Sequence, residues 1–195
     1  MRIILIILIG LFIAKPFSGF SQKDSSGIYF TVNDYLNHKL AFVINCKNQK
    51  HKIKADMIFH QKEISIKHND STYNYPKDSV YGIRYCDGSV VRIFMNSEFP
   101  LINTGESIMI YKVETGSGMK NNPVVINYYF SKDAASEIQK LTINNLKMAF
   151  QNNHKFHDLI DMEFHSDNEL IKYDAFHKMT RINKIYLNSL IGKEK

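Results

Sequence analysis

The sequence predicts an α+β protein: an antiparallel β-sheet or partly closed β-barrel followed by a C-terminal layer of about three helices. Three observations carry that prediction. Seven short runs rich in Tyr, Ile, Val and Phe fall between about residues 27 and 130, short turn-forming clusters separate them, and after Ser131-Lys132-Asp133 the apolar period lengthens from 2 to about 3.6. Strands first and helices afterwards segregate the two layers, as α+β folds do.

The predicted strands are LAFVI (40–44), EISIKH (63–68), STYNY (71–75), VYGIRYC (80–86), SVVRIFM (89–95), ESIMIYKV (106–113) and VVINYYF (124–130). β-branched and aromatic residues suit a pleated, half-buried surface. Asp87-Gly88, between RYC and SVVRIF, is the strongest hairpin signal, because a two-residue I′ turn needs positive φ at both positions. His68-Asn69-Asp70-Ser71 closes the hairpin before it, and strands joined so closely pair antiparallel. The stretch GSGMKNNP, 116–123, reads as a long hairpin loop inside the β half.

In the helical part, Thr142 is placed to cap a helix bearing Ile143, Leu146, Ala149 and Phe150, and Gln151-Asn152-Asn153 interrupts it. A second helix follows in NHKFHDLIDMEFH, 153–165. Ser166 and Glu169 have the spacing of a capping box, which predicts a third helix running to about Leu190 with Phe176, Met179, Ile182, Tyr186 and Leu190 along one stripe.

The chain opens MRIILIILIGLFIAKPFSGFSQ, with Arg2 ahead of an apolar run from Ile3 to Ala14 and small residues before Gln22. That is the pattern of a secretory signal peptide, with cleavage expected between Ser21 and Gln22. The run is shorter than the roughly 20 residues of a spanning helix, so no transmembrane anchor is expected after cleavage. Lys15, between the apolar core and the cleavage region, is the feature an uncleaved anchor would share. Residues 1–21 are thus a leader, and 22–195 form a single α+β domain, β-rich over 27–130 and helical over 131–191.

The formal charge is +6, two of which, Arg2 and Lys15, lie in the leader. The rest are scattered without a basic stripe or interleaved aromatics, which argues against nucleic acid as a partner. An oxidising compartment and an even cysteine count predict a Cys46–Cys86 disulfide. The alternative, a nucleophilic cysteine, lacks any recognisable motif around either residue.

The stretch 153–165 carries three histidines, two aspartates and a glutamate. On a helical wheel Phe156, Leu159, Ile160 and Phe164 share one side, and His154, His157, Asp158, Asp161 and His165 gather on the opposite arc. His157 with Asp161, or Asp161 with His165, is the weak metal candidate, since i and i+4 side chains meet. His154 and His165 would stand about 16 Å apart and cannot share an ion. Completing ligands would have to come from elsewhere, for example His60 or His177, and no HExxH spacing supplies them. A solvated helix face explains the pattern with fewer assumptions. Glu163 projects toward the apolar arc unless the helix frays before Ser166.

Other features are weaker. KNQKHKIK, 47–54, reads as a lysine-guarded edge or as a surface for anionic glycans or lipids. Asp174, His177 and Arg181 would share a face of the last helix. GSG at 116–118 lacks the Lys and the context of a phosphate loop, there is no G-x-S-x-G elbow, and tryptophan is absent.

The segments GIYFTVNDYLNHK, SKDAASEIQKLTINNLKMAFQNNHKFHDLID and KYDAFHKMTRIN, with a leader ending FSQ, resemble uncharacterised secreted proteins of Bacteroidota, from Gly27 to about Leu190. The resemblance implies export from a Gram-negative cell and no particular activity. The sequence therefore predicts an exported, periplasmic or secreted, non-catalytic module that binds a ligand or envelope component and uses no cofactor. The alternative is a metal-assisted hydrolase on the His/Asp face of 154–165.

Overall fold

A computed structural model of the chain describes residues 24–55, 62–116 and 122–191. The leader with its Ser21/Gln22 cleavage site, His60, and most of the GSGMKNNP loop lie outside the described residues. The described chain is an α+β fold. An open eight-stranded antiparallel sheet runs in the order β11-β10-β9-β8-β7-β6-β1-β2, and a separate three-stranded sheet is formed by β3, β4 and β5. In the large sheet the strands are β1 (Ser25–Tyr29), β2 (Ala41–Asn45), β6 (Gly82–Arg84), β7 (Val90–Phe94), β8 (Ser97–Leu101), β9 (Met109–Thr115), β10 (Val125–Ser131) and β11 (Gln139–Lys140). The small sheet is Lys52–Lys54, Glu63–His68 and Ser71–Pro76. Four α-helices are described: α1 (Val32–Leu36) in the β half, and α2 (Ile143–Ala149), α3 (His154–Glu163) and α4 (Arg181–Leu190) after it.

Strand alternation sorts the core. On one face of the large sheet, Ile28, Ile83, Val91 and Ile93 meet Ile64 and Ile66 of the small sheet. At the other end of the molecule, Ile108, Ile110 and Phe130 are covered by Leu146, Phe156, Ile160, Ile182 and Ile185 of the three C-terminal helices. A third cluster joins Val90, Leu101, Met109 and Tyr111 to Ala134, with Val32 and Tyr35 of α1 packed against it. β7 contributes to two of these clusters, Val91 and Ile93 to one and Val90 to another, so it is covered on both sides.

The turns differ from expectation in an instructive way. At Asp87-Gly88 only Gly88 has positive φ (85°), its N–H donates to Tyr85 O (3.0 Å), and Tyr85 N–H donates to Ser89 O (2.9 Å). This is a type I turn closed by a glycine bulge, not the predicted I′ turn. Asp87 instead accepts from the Ser89 N–H (2.8 Å) and hydroxyl (2.6 Å), which fixes it without positive φ. The I′ geometry appears at Asn69-Asp70 (φ 48° and 61°) and at Met95-Asn96 (48° and 59°). The second of these leads into β8, a strand not among those the sequence predicts, which contains Pro100. A two-residue hairpin makes Phe94↔Ser97 a hydrogen-bonded pair, and alternation then turns the Pro100 nitrogen away from β7. Toward β9, β8 is paired only at Leu101↔Tyr111, so the missing N–H breaks no ladder bond.

The predicted third helix is also corrected. Ser166 makes no side-chain cap, and Asp167–Glu169 is a single 3₁₀ turn. The Glu169 carboxylate reaches past Ser166 to the His165 N–H (2.7 Å) and to Lys172 Nζ (2.5 Å). A short hairpin follows, β12 (Tyr173–Asp174) with β13 (Met179–Thr180), joined by the four residues 175–178 and turned by Asp174 accepting the His177 N–H (2.9 Å) and by Lys178 at φ 53°. Phe176, expected on the core stripe, sits at that tip and is 88% exposed. Helix α4 begins only at Arg181, and Leu190 at its end is exposed, whereas Ile182 is buried and Tyr186 packs on Phe150 and Phe156.

Cys46 and Cys86 form a disulfide, Cα–Cα 5.7 Å, joining the end of β2 to the turn between β6 and β7. No helix among the described residues is long and apolar enough to cross a membrane.

Candidate functional site

Helix α3 is capped by Asn153, whose side-chain carbonyl accepts from the Phe156 N–H (3.2 Å) while its amide donates to Ser189 Oγ (2.8 Å) on α4. The start of α3 is thereby pinned to α4, which orients Phe156, Ile160 and Phe164 into the core. The opposite arc carries His154, Asp158 and Asp161, all exposed, and His157, half-buried; His165, expected on the same arc, lies past the helix end, beyond the extended backbone of Phe164. Its members already have protein partners. His157 Nε2 donates to the Phe150 carbonyl (3.1 Å), closing the α2–α3 turn. Asp161 pairs with Lys147 of α2, with Lys147 Nζ 2.5 and 2.6 Å from its two carboxylate oxygens. Among the described residues no group of three His, Cys, Asp or Glu side chains is arranged to hold a metal. The face predicted as the metal candidate thus ties two helices together through its most interesting pair.

The remaining polar candidates disperse. Glu163 stays half-exposed and pairs with Arg181 (3.1 Å) at the start of α4. Asp174, His177 and Arg181 do not share a helix face, since Asp174 and His177 belong to the β12–β13 hairpin. Asp174 instead accepts from Lys184 (2.8 Å) and lies 3.0 Å from His177 Nδ1. The Lys184 hydrogen bond, then the His177 N–H, holds its carboxyl well below the usual range.

A different constellation emerges on the face of the large sheet that α1 and the 133–138 segment cover. Strand register aligns Tyr29, Gly82, Arg92 and Phe99 across β1, β6, β7 and β8. Arg92 is 5% exposed. Its Nη1 donates to Tyr111 Oη (3.2 Å) and Ser131 Oγ (3.2 Å), and its Nη2 to the Ser136 carbonyl (2.8 Å). Ser131 donates onward to Asp133 O (2.8 Å), which leaves Tyr111 as the donor in the 2.9 Å Tyr111–Ser131 bond. The guanidinium carbon lies 5.2 Å from the Tyr81 ring centroid and 5.6 Å from that of Phe94, within cation–π range. Tyr81 is itself anchored by donating to Ala134 O (2.9 Å), and burial raises its phenol pKa despite the neighbouring guanidinium. Asp133 does not reach Arg92. Burial alone would raise the Asp133 carboxyl, but hydrogen bonds from the Ser136 hydroxyl, the Ser136 N–H and the Ala135 N–H leave its pKa lowered.

Arg92 forms part of the wall of an open cleft of about 300 Å³, together with Val32, Asp78, Tyr81, Phe94 and Ala135. The sequence held one usable signal for it. A charge at the centre of VVRIF, a run apolar on both alternating faces, must be buried if the strand is central.

Two further buried polar clusters are structural. Lys77 pairs with Glu98 (2.8 Å), side chains 3% and 8% exposed, linking the turn after β5 to β8. Beside the disulfide, Ser26 Oγ donates to Arg84 O (2.7 Å), so His51 Nε2 is the donor in its 2.8 Å bond to that hydroxyl. Burial, then the nearby His68, lowers the His51 pKa. The lysine-rich run 47–54 supplies β3, an edge of the small sheet, as its composition suggested.

No protein-family model matches this chain, no curated protein matches it in sequence, and no solved structure matches its fold.

Proposed function

We infer that the chain is an exported, non-catalytic binding or envelope-associated module of a Gram-negative bacterium. The observation that carries the reading is the Cys46–Cys86 disulfide, which staples the edge strand β2 to the β6–β7 turn and persists only where thiols are not kept reduced. The N-terminal pattern from Arg2 to Gln22 supports the same address. The engagement of both Asp161 carboxylate oxygens by Lys147 weighs against the hydrolase alternative, because a metal there would have to displace that ammonium, and among the described residues no third ligand stands beside His157 and Asp161. The resemblance to secreted Bacteroidota proteins supports the reading without naming a ligand.

The test is intact-mass analysis and thiol titration of the protein recovered from an exporting cell. The expected product begins at Gln22 and has no titratable thiol when denatured without reductant. Retention of Met1–Ser21 in a membrane fraction, or two free thiols per chain, overturns the reading.

A further inference from the structure

We propose that the cleft beside Arg92 binds a small organic monocarboxylate with a planar apolar body. This deepens the binding-module reading, on which it rests, by naming the ligand class. A guanidinium offers five N–H donors, and the three hydrogen bonds of Arg92 go to two hydroxyls and one carbonyl. Its Nε is buried with no acceptor, and among the described residues no carboxylate forms an ion pair with Arg92. A buried cation partnered only by neutral groups and two aromatic rings is costly to maintain, and an anion is the partner that offsets that cost. Arginine is also the side chain best matched to a carboxylate, because its planar edges meet two oxygens at once, and with both Nη1 hydrogens taken by Tyr111 and Ser131 the edge of Arg92 left for a ligand is Nε–H with the second Nη2 hydrogen.

The cleft wall adds selectivity. Tyr81 and Phe94, the rings within cation–π range of the guanidinium, also line the cleft, and Val32 and Ala135 extend its apolar surface. A cation beside apolar surface orients a ligand by its charged end and covers its body. A volume of about 300 Å³ accommodates a molecule of benzoate size. The exposed carboxylate of Asp78, on the same wall, repels multiply charged anions such as phosphate more than a monoanion.

The experiment is calorimetric titration of the purified, disulfide-bonded mature chain with sodium benzoate, acetate and inorganic phosphate at matched ionic strength and neutral pH. Benzoate should bind saturably and more tightly than acetate, and phosphate should produce no saturable heat. Ala135→Trp, which narrows the cleft without touching the hydrogen bonds of Arg92, should weaken benzoate binding at least tenfold and leave the melting temperature unchanged. Arg92→Lys keeps the charge but loses the fork, and should weaken binding by a similar factor; if it fails to fold, Ala135→Trp decides. Absence of saturable benzoate binding, binding unmoved by Ala135→Trp, or phosphate binding as tightly as benzoate overturns the proposal. Each of these results concerns the cleft alone, whereas export is read independently from the mass and thiol measurements.

Discussion

The polar arc of α3 and the lone arginine of β7 contrast at every level. On α3, four His and Asp side chains crowd one arc of a ten-residue helix, three of them are exposed, and the pair with metal-ligand spacing is engaged by Phe150 and Lys147. In β7, a single charge interrupts a strand that is otherwise apolar, is 5% exposed, and is met only by neutral acceptors and aromatic faces. The contrast teaches that the density of functional-looking residues in a sequence is a poor guide to chemistry. A solvated charge is compensated by water wherever it falls, whereas a buried one must be compensated by structure or by a ligand.

The largest effect that would break the comparison is on the apolar side of α3. Phe156 is fully buried against Phe150 and Tyr186, so Phe156→Ala should cost about 3–5 kcal/mol in denaturant unfolding, mostly as a cavity. A cost below about 1 kcal/mol would mean that the helical layer is not docked as described.

Next is the staple of the β half. Reducing Cys46–Cys86, which are separated by 40 residues, should lower stability by about 3–4 kcal/mol if loop closure dominates. Melting with and without reductant measures it, and an unchanged transition would contradict the role given to the bridge.

Asn183 joins the two halves. Its side chain accepts from Ile108 N–H (2.7 Å) and donates to Ile108 O (2.8 Å), imitating a neighbouring strand, and Glu106 accepts from both the N–H and the hydroxyl of Thr180. Asn183→Ala should cost about 1–3 kcal/mol by leaving the buried Ile108 N–H without its acceptor. Hydrogen exchange at Ile108 should accelerate in the variant.

The smallest effects belong to the polar arc. Asp161→Ala removes a mostly exposed ion pair and should change stability by no more than about 1 kcal/mol. A chelator should leave the wild-type melting temperature unmoved; a drop that Asp161→Ala abolishes would restore the metal reading. A pH series adds a signed check at the other end of the molecule. His51 has its folded-state pKa lowered from 6.5, chiefly by burial, so the unfolded chain takes up the proton first on acidification. Stability should therefore fall as pH drops below about 6.5, and His51→Gln should flatten that slope between pH 7 and the lowered folded value.

Period and turn chemistry made much of this fold legible. The alternation in EISIKH placed Ile64 and Ile66 inward, the 3.6 period put Phe156, Ile160 and Phe164 on one face of α3, and Thr142 caps α2 by accepting from Asn145 N–H (3.1 Å). The failures came where a side chain chose among competing local partners. Ser166 and Glu169 have capping-box spacing, but Glu169 bonds His165 and Lys172, and Asp174 spends its carboxylate on a turn, so the helix starts twelve residues after Glu169 at Arg181. β8, not among the predicted strands, contains Pro100, which strand alternation places harmlessly. For the site, spacing could reveal the arc of α3 because its residues are neighbours in sequence. The Arg92 network draws on Tyr111, Ser131 and Ser136, up to 44 residues away, and only the tertiary fold brings them together.

The most direct test places both regions in one spectrum: chemical-shift mapping of ¹⁵N-labelled mature protein during a benzoate titration, with the arginine Nε–H signals observed alongside the backbone amides. The account predicts a progressive shift of the Arg92 Nε–H and of the amides of Tyr81, Phe94 and Ala135, with the amides of His154–Glu163 unmoved. Shifts concentrated on α3, or an Arg92 Nε–H signal that stays in place at saturating benzoate, would contradict it.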